Sequence, residues 1–396
     1  MTHTLLVLSI VSVVVTIVAV ILLLVVLRHL RRSRQEIAEL HTSTGQAPTD
    51  RTTGADDEAL PPASPEDEEP APQRTRQVAV VVNPSKFDDV AAFSHSIRTV
   101  VEYIEGTQVT FYPTTEEDPG RGQTRQALQE GADLVVAAGG DGTVRMVASV
   151  LAGSDTEMAI IPAGTGNLLA RNLEVPLDDP AEAMTAALTG QDRRIDVGWL
   201  RHGDSRAAAA AAAEQIFLVI SGFGADAEMI GHTDSTMKKR LGWIAYVLGG
   251  ARTILGRSVD VVLDFPDGTR HAHKARTVLL GNVGKLPGGF VLMPEATADN
   301  GRLEIVVAGW RGPAGFSQVL TEVVSPQLVP RGRFKERTRL SSMDRYQATE
   351  VRVATAKAQP VQLDGDTDAE ATHLIARIAP GALHLRVPSG TEPAET

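Results

Sequence analysis

The run LVVAAGGDGTVRMV, Leu134 to Val147, joins an apolar segment to the loop Gly139-Gly140-Asp141-Gly142-Thr143. A helical pattern follows, in which Val144, Val147 and Leu151 share one face. A strand, a glycine turn and a helix in that order offer backbone N–H groups and the positive end of a helix to an anion, most commonly a phosphate. A carboxylate in the middle of such a loop would repel phosphate oxygens unless a divalent cation stood between them. Asp141 therefore points to a Mg²⁺-nucleotide. The plain alternative for the same residues is a tight strand-to-helix turn that binds nothing.

A second stretch, IIPAGTGNLLARNL, repeats the pattern: an apolar run, then Gly164-Thr165-Gly166, Asn167 and a helical start. Two such loops at the ends of neighbouring parallel strands would face one crevice. Other phosphate motifs fail on spacing. A Walker loop near GNVGKLPGG needs glycine at position 279 and Ser or Thr after Lys285, where the chain has Leu279 and Leu286. A dinucleotide fingerprint begun at Gly140 needs glycine where Arg145 stands.

Taken in order and spacing, NPS, GGDGT and PAGTGNLLAR resemble the catalytic domain of the diacylglycerol kinase and sphingosine kinase superfamily, above all its bacterial diacylglycerol and lipid kinases. The likeness continues through ISGFGADAE, LGWIAYVLGG, GGFVLMPEATADNGRLEIVV, VQLDGD and PGALHLRVP, covering roughly residues 77 to 388. It implies an α/β nucleotide-binding domain, an all-β sandwich and a last strand that returns to the first domain. It also implies phosphoryl transfer from ATP, with Mg²⁺, to a lipid hydroxyl, diacylglycerol to phosphatidate being the first expectation.

By the same resemblance Asn83, with Thr114 or Thr115, belongs to the ATP site. Gly139, Gly140, Gly142 and Thr143 hold the phosphates, and Gly164, Thr165 and Asn167 meet the nucleotide from the second loop. Asp366, where the family usually has Glu, is the base that takes the lipid proton, and Asp141 positions the metal-bound phosphates. Asp366 lies far along the chain from the glycine loops, so nucleotide binding is expected to be indifferent to it. Two departures stand out. Arg145-Met146 replaces a frequent Asn-Glu, and Asp299-Asn300-Gly301 has one carboxylate fewer than the family's structural Mg²⁺ segment, which weakens the metal site expected at Asp299.

The elements that must carry these residues are legible in outline. A buried strand at Val78–Val82, a helix near Val90–Ile104, a strand near Val109–Tyr112, a helix near Thr124–Gln129 and a strand at Leu134–Ala138 predict a parallel sheet with helices on its faces. Beyond Asp196 the signals are short strands and hairpins, as at Asp267-Gly268, with one helical insert at 238–254. Ala207–Ala213 has helical propensity, yet lies between two apparent strands and reads as an elongated hairpin loop. The division expected is a transmembrane helix at 5–27, a basic juxtamembrane segment and disordered acidic linker at 28–75, the α/β domain at 76–195, the sandwich at 196–378 and the returning strand at 379–390.

Leu5 to Leu27 carries no charge and is followed at once by RHLRRSR, long enough to span a bilayer with its basic flank inside. This predicts a single-pass protein of the cell membrane with a cytoplasmic catalytic part and its lipid substrate in the inner leaflet. The linker, with PEDEEPAP, lacks the apolar surface to fold. A net charge of -11 argues against nucleic acid as a partner, and the absence of cysteine excludes disulfides and thiolate chemistry. A homodimer is compatible with all of this. His271 and His273 lie on one strand face without an acidic neighbour in sequence and read as a solvated face rather than a metal grip. The basic runs at 238–240 and 331–339 read as wet surface or as a face toward anionic lipid. Rival functions are a membrane-anchored nucleotide-binding module without turnover and an NAD kinase-like enzyme, which shares the GGDGT loop.

Overall fold

The computed structural model describes residues 75–224, 258–286, 290–312, 315, 318–319 and 341–390. The apolar run at 5–27, nearly all of the acidic linker, the insert at 238–254 and both basic runs lie outside the described residues. Among those described, no helix is long and apolar enough to cross a membrane.

The first half is built on β1 (Arg76–Val82), β2 (Thr107–Pro113), β3 (Leu134–Gly139) and β4 (Glu157–Pro162), all parallel, in the order β2-β1-β3-β4. Every residue of β3 is buried, the pattern of a parallel strand covered on both faces. The covering helices are α1 (Val90–Glu102), α2 (Arg121–Gln129), α3 (Asp141–Leu151) and α5 (Pro180–Thr189), with the short α4 (Leu168–Asn172) between the last two. Asp89 starts α1 by accepting from the Ala92 N–H, and Asp179 starts α5 by accepting from that of Ala181. α1 then buries Phe93, Ile97 and Val101, one residue per turn.

The second half is antiparallel. β5 (Gln191–Gly203) leads through α6 (Arg206–Ala211) to β6 (Gln215–Phe217) and β7 (Ile220–Gly224). After these come β8 (Val259–Asp264), β9 (Arg270–Ala275), β10 (Thr277–Gly281), the short pair β11 (Lys285–Leu286) and β12 (Phe290–Val291), and β13 (Leu303–Trp310). The last three strands are β14 (Ser341–Ala348), β15 (Glu350–Leu363) and β16 (Asp366–Val387). Asp267-Gly268 makes the expected hairpin: β8 and β9 pair from Asp264–Arg270 to Val259–Ala275, and Gly268 takes the left-handed φ of 85° that the turn requires.

Two expectations need correction. The alanine run is the helix α6, not a loop: Ser205 caps it by accepting from the Ala208 N–H, and alanine propagates a helix once it is started. The expected borders at 195/196 and 378/379 fall inside strands. β16 pairs with β5 from His373–Gly203 to Val387–Gln191, and Leu385 meets Met158 of β4 in parallel. The returning strand is thus the tail of one 22-residue strand. One ladder runs through both halves, β14-β13-β10-β7-β15-β16-β4-β3-β1-β2, over two cores.

Candidate active site

β3 and β4 are neighbours in register, Gly139 opposite Pro162, so their loops leave the sheet at the same end. The loops nearly touch. A methyl on Gly164 would lie 2.8 Å from the Gly140 Cα, and one on Gly139 would lie 2.7 Å from Thr143. Glycine at 164 lets the two backbones come this close, and glycine at 139 leaves room for the Thr143 side chain. Asp141 reaches across the gap: Oδ2 accepts the Asn167 N–H at 2.9 Å and Oδ1 that of Leu168 at 2.6 Å. The carboxylate thereby caps α4 from another loop, and Gly166 must be glycine because a methyl there would lie 2.7 Å from Oδ2. Burial raises the Asp141 pKa, the two N–H donors lower it, and the charge of Asp366 raises it. A carboxylate among these glycines is explained in the first place by this clasp.

The other expected nucleotide residues come together around the clasp. Asn167, at a left-handed φ of 48°, closes its own loop: Oδ1 accepts the Gly164 N–H and Nδ2 donates to the Gly164 carbonyl. Asn83 accepts the Ser85 N–H and donates to Thr143 Oγ1 at 3.5 Å. Thr143 and Thr114 are buried, Thr114 donating its N–H to the Val82 carbonyl where β1 ends, and Thr165 is exposed at the tip of the second loop. Lys86 escaped the sequence reading. Its Cε lies 3.9 Å from where a methyl on Gly140 would be, and the only signal was its place in the turn opened by Asn83-Pro84.

Asp366 begins β16 just after the turn Asp364-Gly365. Oδ2 accepts from Arg145 Nη2 at 2.7 Å and lies 3.7 Å from where a methyl on Gly142 would sit. The fold therefore corrects the expectation that Asp366 stands apart from the nucleotide loops. Asp364, also missed, holds the turn in place. It is buried at a left-handed φ of 49°, Oδ2 accepts the Leu218 N–H, and Oδ1 accepts those of Val219 and Ile220. Burial pushes its carboxyl up to about 6, against the charge of Arg145 and the three N–H donors.

Asp299, expected as a weakened metal ligand, is engaged by a guanidinium. Arg193 donates Nε and Nη2 to Asp299 Oδ2 at 3.0 and 2.8 Å, so a guanidinium supplies the charge a cation would bring. Asn300 is taken up by the Glu295 carbonyl and the Arg302 N–H, while buried Asp196 binds the N–H groups of Gly301 and Gly381. At the phosphate loop the donors do fit a hard cation. Asp141 and Asp366 are carboxylates, and each Asp141 oxygen keeps a lone pair beyond its one N–H bond.

The histidine pair departs from expectation too. His273 contacts Asp344 at 3.3 Å and the Tyr346 hydroxyl at 2.9 Å, both from β14, and His271 packs on the Tyr346 ring. These partners close the sandwich edge and are invisible at sequence distance. Glu157, Asp192 and His384 also cluster, but Arg76 and Arg386 answer the two carboxylates.

Residues 77–200 match the diacylglycerol kinase catalytic domain, and residues 218–387 match the YegS C-terminal NAD kinase beta sandwich-like domain. A protein of Pseudomonas putida named "Probable lipid kinase YegS-like" is 30% identical over 269 residues, 67% of this chain and 81% of that protein. The diacylglycerol kinase of Bacillus subtilis is 26% identical over 251 residues, 62% of this chain and 78% of the other. In fold, the crystal structure of a diacylglycerol kinase from Bacillus anthracis superposes with a TM-score of 0.59 at 23% identity, covering 80% of this chain and 97% of that one.

Proposed function

The chain belongs to the YegS-like lipid kinase family, which carries the diacylglycerol kinase catalytic domain, and from that premise we propose that it moves the γ-phosphate of ATP onto a lipid hydroxyl. Diacylglycerol, giving phosphatidate, is the first acceptor. The observation that carries this reading is the placement of Asp366, from the sandwich, against Gly142 of the phosphate loop. A carboxylate beside a phosphate cradle is what an acceptor hydroxyl needs to lose its proton as it attacks.

In the reaction so read, the N–H groups of Gly142 and Thr143 in the first turn of α3 have no intrahelical partner and bind phosphate oxygens. The acceptor O–H gives its proton to Asp366 as its oxygen bonds to the γ-phosphorus. The bond from that phosphorus to the bridging oxygen breaks, and ADP leaves. Bound Mg²⁺ would neutralise phosphate charge, with Asp141 as the carboxylate to hold it. Positioning and charge neutralisation supply most of the rate in this class of reaction.

The test is ATP consumption with and without mixed lipid micelles, followed by chromatography of labelled products from diacylglycerol, a sphingoid base and other lipid alcohols. Product with any of them supports the reading. ATP binding with no lipid product across the panel would replace it with an anchored nucleotide-binding module.

Lys86 gives a graded check within the same site. If its ammonium meets a phosphate oxygen beside Gly140, Lys86→Ala should raise KM for ATP about tenfold, the worth of one charge-assisted contact, and Lys86→Arg should recover much of it. An unaltered KM in Lys86→Ala removes the residue from the site.

The membrane reading rests on sequence. With Leu5–Leu27 uncharged and the arginines on its carboxyl side, residues 77–388 are expected on the cytoplasmic face. Protease added to intact cells should spare them and digest them after permeabilisation. Digestion from outside would reverse the topology.

A further inference from the structure

Arg145 lies in α3 just past the phosphate loop, and its side chain faces the turn that carries Asp366. It is only 12% exposed, whereas the Asp366 side chain it grips is 64% exposed. The guanidinium is the fixed partner of the pair and the carboxylate is the one with freedom to move. Arg145 Nη2 donates to Asp366 Oδ2, which leaves Oδ1 outside the contact. Arg145 Nε is buried with no hydrogen-bond partner among the described residues, so packing rather than a web of bonds holds the arm. Its charge also acts on the buried Asp364, two residues before Asp366 on the same turn. One guanidinium from the α/β half thus serves two carboxylates carried by the sandwich.

We propose that Arg145 is the positioning residue of the transfer: through Nη2 it holds the Asp366 carboxylate over Gly142 and leaves Oδ1 to take the acceptor's proton. The inference rests on the lipid kinase reading. An aspartate this exposed samples several rotamers on its own, and a base displaced by about 1 Å costs on the order of a hundredfold in rate. A nearly buried guanidinium already engaged by a carboxylate is poorly placed to bind ATP itself, so its removal should act on turnover and spare nucleotide affinity.

The test compares Arg145→Gln and Arg145→Lys with the unmodified full chain, measuring kcat for lipid phosphorylation, KM for ATP and thermal melting. Arg145→Gln should lose about 30-fold in kcat with KM for ATP changed by less than about threefold and little change in melting. Arg145→Lys, which keeps a cationic donor, should recover at least about fivefold of that loss. Three results overturn the proposal: kcat unaltered in Arg145→Gln, a loss confined to KM for ATP, or a loss that tracks a lowered melting temperature and is not relieved by Lys. An unmodified chain without lipid product would instead reject the kinase reading and the inference with it.

Discussion

Asp366→Asn is expected to lower kcat for lipid phosphorylation by about 10³-fold, the range a general base commands. The amide still offers an oxygen to Arg145 Nη2, so the turn keeps its place, but it has no basic site for the acceptor's proton. ATP affinity gives the second readout. Asp366 stands beside the phosphate loop, and removing its negative charge lowers repulsion toward the phosphates. The Asn variant should therefore bind ATP as well as the unmodified chain or somewhat better while failing to turn over. Asp366→Glu is expected to stay active at a reduced rate, because an extra carbon of about 1.5 Å presses the carboxylate toward Gly142 and Arg145. Turnover close to that of the unmodified chain in Asp366→Asn would remove this residue from catalysis and leave the kinase reading without its base.

Particular residues show what the sequence carried and what it withheld. Periodicity and glycine placement exposed β1 to β3, both loops and the Asp267-Gly268 hairpin, because each is a local pattern: an apolar run, a turn residue, a helical face. Three-dimensional partners were not local. Nothing near Asp299 in sequence announces Arg193, and nothing near His273 announces Asp344 or Tyr346, so neither ion-pair partner is legible before the chain folds. Asp364 carries no local signal beside Asp366, yet this carboxylate in a left-handed turn, bound by the three N–H groups of Leu218, Val219 and Ile220 where β6 passes into β7, is what fixes Asp366 in space. The alanine run turns on a different balance: its flanking strands suggest a hairpin loop, and the Ser205 cap with the propensity of alanine itself outweighs them.

Asp141→Asn separates the two meanings of the carboxylate in the glycine loop. In the clasp each Asp141 oxygen meets a backbone N–H, but an amide has one oxygen, and its NH₂ would face the remaining donor. Leaving one of these N–H groups unsatisfied costs about 1–3 kcal/mol, a lowering of roughly 1–5 °C in melting for a folded unit of this size. If the charge also serves a Mg²⁺-bound phosphate, kcat should fall by about 10³-fold as well, more than a loosened loop explains. Gly166→Ala supplies the control. Its methyl would lie 2.7 Å from Asp141 Oδ2 and pushes the carboxylate off α4 while leaving its charge in place. That variant should share the melting loss and weaken ATP binding, yet keep kcat within about tenfold of the unmodified chain. If Gly166→Ala loses kcat as deeply as Asp141→Asn, the carboxylate acts only as a clasp between the loops. If Asp141→Asn turns over normally despite its lower melting point, Asp141 has no part in the transfer, and the phosphates are held by backbone and Lys86 alone.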